Sequence, residues 1–117
     1  MAESFTDHRG VIEDLLIIPL DGVTRITTKQ GAVRGNHVHQ RSYQWTYVIS
    51  GTLLVVTEGE YRSRREYGPG ELFCDEPGTP HAWKAATDCV VLVFSRGPRT
   101  GEDYESDTVR LEKPILT

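Results

Sequence analysis

The chain is poor in cysteine and methionine, has no excess of positive charge, and holds no apolar run of membrane-spanning length in its 117 residues. Each shortage excludes a class of protein. Cys74 and Cys89 stand far apart in the apolar contexts L-F-C-D and D-C-V-V-L-V-F, outside any C-x-x-C pair, so they read as reduced core or near-core residues rather than a disulfide framework. A formal charge of -4 argues against nucleic acid or an anionic membrane as the partner, because a phosphate-binding surface normally carries a basic excess. A small molecule or another protein remains. No segment approaches the roughly 20 apolar residues that span a bilayer. Met1 to Asp7 lacks the basic start and apolar core of a signal peptide, so the cytoplasm is the expected compartment. Internal repeats and low-complexity tracts are missing too, and the length suits one compact domain over residues 1–117.

What the chain has is punctuation: 11 Gly and 6 Pro divide it into apolar runs of strand length. A period of two dominates over 3.6. Val23 to Thr28 alternates like a half-buried strand, and Gly31 and Gly35 bracket a turn into the next one. Gln44 to Ile49 and Leu53 to Thr57 flank Ser50-Gly51, a hairpin signal. Tyr61 to Tyr67 reads as an exposed strand, its Arg62, Arg64 and Arg65 forming a solvated face interleaved with Glu60 and Glu66. Glu71 to Cys74 follows a Gly-Pro-Gly corner, and Cys89 to Phe94 suits a strand buried on both faces. Arg96 to Asp107 is read as a polar loop and Thr108 to Glu112 as a last edge strand. Val11 to Leu20 fits either a short helix or two strand pieces. About eight to ten short strands with little helix predict an all-β fold, a small antiparallel barrel or jelly roll. Such a barrel has room inside for side chains or one small ligand.

The chemistry concentrates in R-G-N-H-V-H-Q-R-S-Y-Q-W-T-Y-V-I-S-G, Arg34 to Gly51. On a strand His37 and His39 point the same way and Val38 the other, which aims two imidazoles at one point of the interior. A second stretch, G-E-L-F-C-D-E-P-G-T-P-H, runs from Gly70 through a Pro/Gly corner to His81. His8, in D-H-R-G, is assigned no role.

These two stretches resemble the two motifs of the cupins. His37, His39, Gln44 and Gly51 match the first, with four residues between His39 and Gln44 and six between Gln44 and Gly51; Gly70, Gly78 and His81 match the second. The joint match is far more specific than a lone H-x-H. In many cupins the corresponding residues bind one divalent metal, so the resemblance implies His37, His39, His81 and, by position, Gln44 as ligands. Three imidazoles suit Zn, Fe, Ni, Cu or Mn without distinguishing among them. Gln44 replaces the usual glutamate, and its neutral amide would leave the metal its full double charge as a Lewis acid.

A narrower resemblance points to sugar chemistry. R-G-N-H-V-H with Gln44 is similar to the pattern of dTDP-ketosugar 3,4-isomerases. D-H-R-G (Asp7 to Gly10) resembles the start of those enzymes and of dTDP-4-dehydrorhamnose epimerases, and D-C-V-V-L-V-F-S with E-D-Y (Glu102 to Tyr104) their C-terminal pattern. In that metal-free group two histidines shuttle a proton next to a ketone, which here implies His37 and His39 as the acid/base pair and Tyr47 as a hydrogen-bond donor to the enediol. The R-G-N-H-x-H start is also similar to metal-binding cupin domains of capsular polysaccharide enzymes. Arg34 is the candidate for an anionic or carbonyl-bearing substrate, an ordinary surface arginine being the competing reading. Trp83, with Trp45 and Tyr43, either lines the barrel mouth or packs. The leading expectation is a metal-dependent enzyme moving a proton, isomerising or eliminating next to a carbonyl. The alternatives are a metal-free nucleotide-sugar isomerase or epimerase, a dioxygenase, and a ligand-binding sensor. The resemblance also implies a homodimer.

Overall fold

A computed structural model describes residues 4–98 and 100–117. Met1 to Glu3, part of the stretch read for a leader, and Arg99, inside the expected polar loop, lie outside the described residues. The elements in chain order are β1 (Ser4–Asp7), β2 (Gly10–Glu13), β3 (Gly22–Thr28), β4 (Val33–His39), β5 (Tyr43–Ser50), β6 (Leu53–Glu58), β7 (Arg62–Tyr67), β8 (Leu72–Asp75), β9 (His81–Ala85), β10 (Cys89–Arg96), α1 (Gly101–Asp107) and β11 (Thr108–Arg110). Among the described residues no helix is long and apolar enough to cross a membrane.

Two antiparallel sheets make an all-β jelly roll. One has the order β3-β10-β5-β8 and the other β11-β4-β9-β6-β7; β1 and β2 form a separate two-stranded ribbon. The period of two sets the core. Val48, Phe73, Val91 and Val93 from the first sheet meet Leu53, Val55, Trp83 and Ala85 from the second, all buried. Each fully buried aliphatic side chain contributes about 1.5–3 kcal/mol. Strand β10 lies between β3 and β5, with Cys89, Val91, Val93 and Ser95 buried on one face and Val90, Leu92 and Phe94 only half covered on the other.

Three local expectations give way to tertiary packing. Ser50-Gly51 is not a hairpin turn: β5 and β6 belong to different sheets, and the corner between them is where the chain changes sheet. Gly51 has φ 84, and a Cβ there would strike the Asp88 carbonyl oxygen and lie 2.6 Å from the Cys89 Cβ. Glycine is required because the corner packs onto the start of β10. Val11 to Leu20 holds the end of a short strand and then irregular chain, with no helix. The 96–107 loop ends instead in α1, whose first turn carries Glu102 and Asp103 at the positive end of the helix dipole. Its Asp107 is fully buried.

Gly35 does not end a turn but sits inside β4, at a bulge. Arg34 faces Trp83 and His37 faces His81 across β4 and β9, so Gly35 and Asn36 together span the one-residue step from Trp83 to His81 past Ala82. The extra residue shifts the alternation and brings Arg34, His37 and His39 to one face. Asn36 adopts φ 56, a left-handed conformation asparagine tolerates. Its side chain leaves the interior: Nδ2 donates to the Leu116 carbonyl at 2.9 Å, and Oδ1 accepts from Ile115 N at 2.9 Å and Leu116 N at 3.2 Å.

The bulge leaves no room at Gly35, where a Cβ would come within 2.9 Å of both the Ala82 Cα and the His81 carbonyl oxygen at a φ of 92. Gly35→Ala is expected to lower unfolding free energy by at least about 1–3 kcal/mol through backbone strain alone. Gly10→Ala, with φ 138 but nothing within 4 Å, has strain without the collision and is expected to cost less. Urea denaturation of the two variants measures both, and a Gly35→Ala midpoint equal to wild type contradicts the role given to the bulge.

Candidate active site

The bulged β4 and the opposing β9 bring His37, His39 and His81 together. Ring centroids lie 4.6 Å apart for His37 and His39, 4.7 Å for His37 and His81, and 5.3 Å for His39 and His81. One nitrogen from each ring falls within 4.8 Å of the others. On the other side of β4, β11 places Thr108 opposite His39 and Arg110 opposite His37.

Hydrogen bonds orient two of the rings. His81 Nδ1 lies 3.0 Å from the Thr79 carbonyl oxygen. A carbonyl only accepts, so Nδ1 carries a proton, and in the neutral ring Nε2 keeps its lone pair. His39 Nδ1 sits 3.2 Å from the Thr108 hydroxyl and 3.6 Å from Asp107 Oδ2. A carboxylate beside Nδ1 favours a proton on that nitrogen and fixes the ring. Asp107 receives Ser42 Oγ at 2.6 Å and the Arg41 backbone N–H at 2.6 Å. Burial pushes its carboxyl up, but the hydrogen bonds from Ser42 and Arg41 and the nearby His39 outweigh burial, and the net shift is downward.

His37 and Asp75 show the cost of burial more directly. Desolvation, with the His81, His39 and Arg110 charges adding to it, lowers the His37 pKa to about 3 and keeps the ring neutral. Asp75 is 5% exposed and lies with Oδ2 3.9 Å from His81 Nε2. Burial raises its pKa, partly opposed by His81. Its Oδ1 is buried with no hydrogen-bond partner among the described residues.

His37, His81, Gln44, Arg34 and Trp83 border one cavity of about 510 Å³, a size that holds a small molecule. His39, 1% exposed, joins through its ring contacts. Arg34 is anchored by Nε to Thr28 Oγ1 at 2.8 Å and by a terminal nitrogen to the Thr27 carbonyl at 3.0 Å. Trp83 is both wall and core, 7% exposed. Tyr47 is not brought to the site. The pleat of β5 turns Gln44, Thr46 and Val48 inward and Tyr47 to the opposite face, where it pairs in register with Leu92 and Leu72. The tyrosine that borders the cavity is Tyr104 of α1, its ring 6.2 Å from His39. Asp75, Thr108 and Arg110, which belong to neither sequence motif as ligands, also line it. Asp75 left one signal, an acid alternating with Phe73 in an otherwise apolar strand. A larger surface depression of about 630 Å³ shares Arg34 but none of the histidines.

The donor set fits a divalent transition metal. Three imidazoles converge, one donating Nδ1–H outward to a carbonyl, and the Asp75 carboxylate near His81 has a buried oxygen without a partner among the described residues. The cupin domain profile matches residues 24–95. The chain belongs to the cupin family. Among solved structures this cupin is similar to QdtA, a sugar 3,4-ketoisomerase from Thermoanaerobacterium thermosaccharolyticum in complex with TDP, with TM-score 0.74 and 18% identity over 94% of this chain and 84% of that one. It is also similar to dTDP-4-dehydrorhamnose 3,5-epimerase from Sulfolobus tokodaii, with TM-score 0.68 and 18% identity over 86% of this chain and 70% of that one. A third similarity is to the capsular polysaccharide assembling protein CapF from Staphylococcus aureus, with TM-score 0.66 and 22% identity over 97% of this chain but 32% of CapF. At these identities the likeness is one of fold. No curated protein matches the sequence.

The His37 shift makes a pH prediction. An unfolded histidine takes up a proton near pH 6.5, whereas folded His37 stays neutral down to about 3, so between these values the unfolded chain binds more protons. Stability from this group is full above the unfolded value and falls as pH drops through the window. In chelator-treated protein the urea midpoint is expected to decline between pH ~6.5 and ~5, above most carboxylate titration, and to decline less in His37→Asn. Identical pH profiles for the two proteins count against a neutral, desolvated His37.

Proposed function

We propose that this cupin moves a proton between carbons next to the ketone of a nucleotide-linked sugar, as a ketoisomerase or epimerase. The observation that carries the reading is the imidazole cluster opening on the 510 Å³ cavity, with His37 held neutral at its wall. The fold likeness to a sugar ketoisomerase and a sugar epimerase supports it. It displaces the metal-dependent isomerase or lyase as the leading reading.

In this mechanism His37 meets the substrate. Its lone pair accepts the proton from the carbon beside the ketone, leaving an enediolate. His39, 4.6 Å away, takes up the positive charge because the Asp107 carboxylate behind it offsets that charge, a support His37 lacks. Delivery of a proton to the same carbon by a donor on the opposite face of the ring, with the histidine pair keeping the one removed, gives the epimer. Return of the removed proton to the neighbouring carbon, with a proton passing between the two oxygens, moves the ketone. Tyr104 takes the enediol contact first expected of Tyr47, since it borders the cavity. Arg34 and Arg110, on the same cavity, supply positive charge for a diphosphate. The setting is a cytoplasmic enzyme with a small-molecule substrate.

A second reading rests on the donor set. His37, His39 and His81 would hold a divalent metal, with the Gln44 amide bordering the same cavity. When bound, the ion polarises the substrate carbonyl and stabilises negative charge on its oxygen. Metal titration of the wild-type chain decides it.

A homodimer is part of the proposal. The β1–β2 ribbon pairs with neither large sheet, and its register partners Phe5 and Ile12 are 60% and 66% exposed. A lone two-stranded ribbon is marginal in water, so a second copy is the expected cover.

Wild-type protein in D₂O is expected to exchange deuterium into a TDP-4-keto sugar, with His37→Asn and His39→Asn each slower by about 100-fold or more. Exchange retained in both variants overturns the histidine pair. Light scattering is expected to give about twice the 13.2 kDa chain mass, and a Phe5→Ser/Ile12→Ser variant a single chain mass. A wild-type monomer removes the dimer.

A further inference from the structure

We propose that Asp75 is the carboxylate ligand of the histidine centre, supplied from β8 in place of the acidic residue that position 44 lacks. The inference rests on the metal reading of the site.

Geometry comes first. Gln44 and Asp75 are direct register partners on the antiparallel strands β5 and β8. Directly opposed residues share a face with their Cβ atoms roughly 5 Å apart. A carboxylate moved from position 44 to position 75 therefore stays beside the same cavity, which both residues line together with His37 and His81. The acidic function has crossed one strand without leaving the site.

The local chemistry agrees. Asp75 Oδ2 stands 3.9 Å from His81 Nε2, the nitrogen that carries the lone pair when the ring is neutral, since Nδ1 donates to Thr79. Two electron-pair donors thus face one gap. Asp75 Oδ1 is buried and lacks a hydrogen-bond partner among the described residues, in contrast to Asp107, which Ser42 and Arg41 satisfy. A buried carboxylate with an unsatisfied oxygen is expensive. A divalent cation answers both features at once: it accepts the two lone pairs and compensates the charge. Three neutral imidazoles and one carboxylate leave such a centre with a single net positive charge.

The test compares metal affinity across wild type, Asp75→Asn, Asp75→Val and Asp75→Asn/Gln44→Glu. Zinc affinity is read by competition with a chromogenic chelator, and geometry by the visible spectrum of the Co²⁺ form. Wild type is expected to bind one equivalent, and both single variants about 10–100-fold more weakly or worse, with an altered Co²⁺ spectrum. Returning a carboxylate to position 44 in the double variant is expected to restore affinity. Thermal melting in chelator separates ligation from folding: removing a buried charge should leave the melting temperature at or above wild type. If Asp75→Asn and Asp75→Val bind zinc as tightly as wild type with an unchanged Co²⁺ spectrum, Asp75 is not a ligand and the three-histidine centre stands alone. If wild type itself takes up no zinc, cobalt or manganese, the metal reading falls and Asp75 ligation with it, while proton transfer by His37 and His39 is untouched.

Discussion

The bulge at Gly35 and Asn36 is the constraint on which both faces of the second sheet depend. By inserting one residue against Ala82, it shifts the alternation of β4 so that Arg34 and His37 share the inner face. The same step turns Asn36 outward, where its amide bonds the main chain of Ile115 and Leu116. Those residues cover Val56 and Ala82 on the outer side of β6 and β9. One irregularity in one strand therefore aims a histidine inward and ties down the C-terminal segment behind it. Gly35 pays nothing in side-chain bulk for this, with the His81 carbonyl and the Ala82 Cα where a Cβ would stand.

Electrostatics inside the sandwich divides two buried carboxylates by their surroundings. Asp107 is fully hydrogen-bonded and has its pKa lowered despite burial, so it serves as a fixed negative charge behind His39. Asp75 has burial as its dominant influence, which raises its pKa, and an oxygen without a donor among the described residues, so its carboxylate form calls for a cation beside it. Two carboxyls in one small domain are set apart chiefly by hydrogen bonds, a pattern that assigns different roles to chemically identical groups. Between them lie three imidazoles, of which His37 is kept neutral by desolvation and by its charged neighbours.

Legibility differed between the histidines and the groups around them. His37 and His39 were readable because a strand alternates faces, and His81 because its corner and spacing complete a two-part motif. Arg34 and Trp83 do border the cavity, although Arg34 spends part of its guanidinium on Thr27 and Thr28. Tyr47 departs from the expectation because alternation along β5 puts it, three residues after Gln44, on the other face. Thr108 and Arg110 are set by cross-strand register, which no local pattern encodes, and Asp75 by register with only its alternation with Phe73 as a local sign. Tyr104 was seen only as part of E-D-Y, since α1 is a single short helix without an apolar 3.6 repeat.

The sequence by itself determined that the chain is all-β, where most strands run, and that three histidines belong to one site, because side-chain period and turn chemistry are local properties. Only the tertiary structure decided that Ser50-Gly51 changes sheets instead of closing a hairpin, that Gly35 is a bulge, and that Asp75 lies opposite Gln44. Each of these depends on which strands pair. Pairing is chosen by burial summed over both sheets, a global quantity that no single stretch of sequence contains.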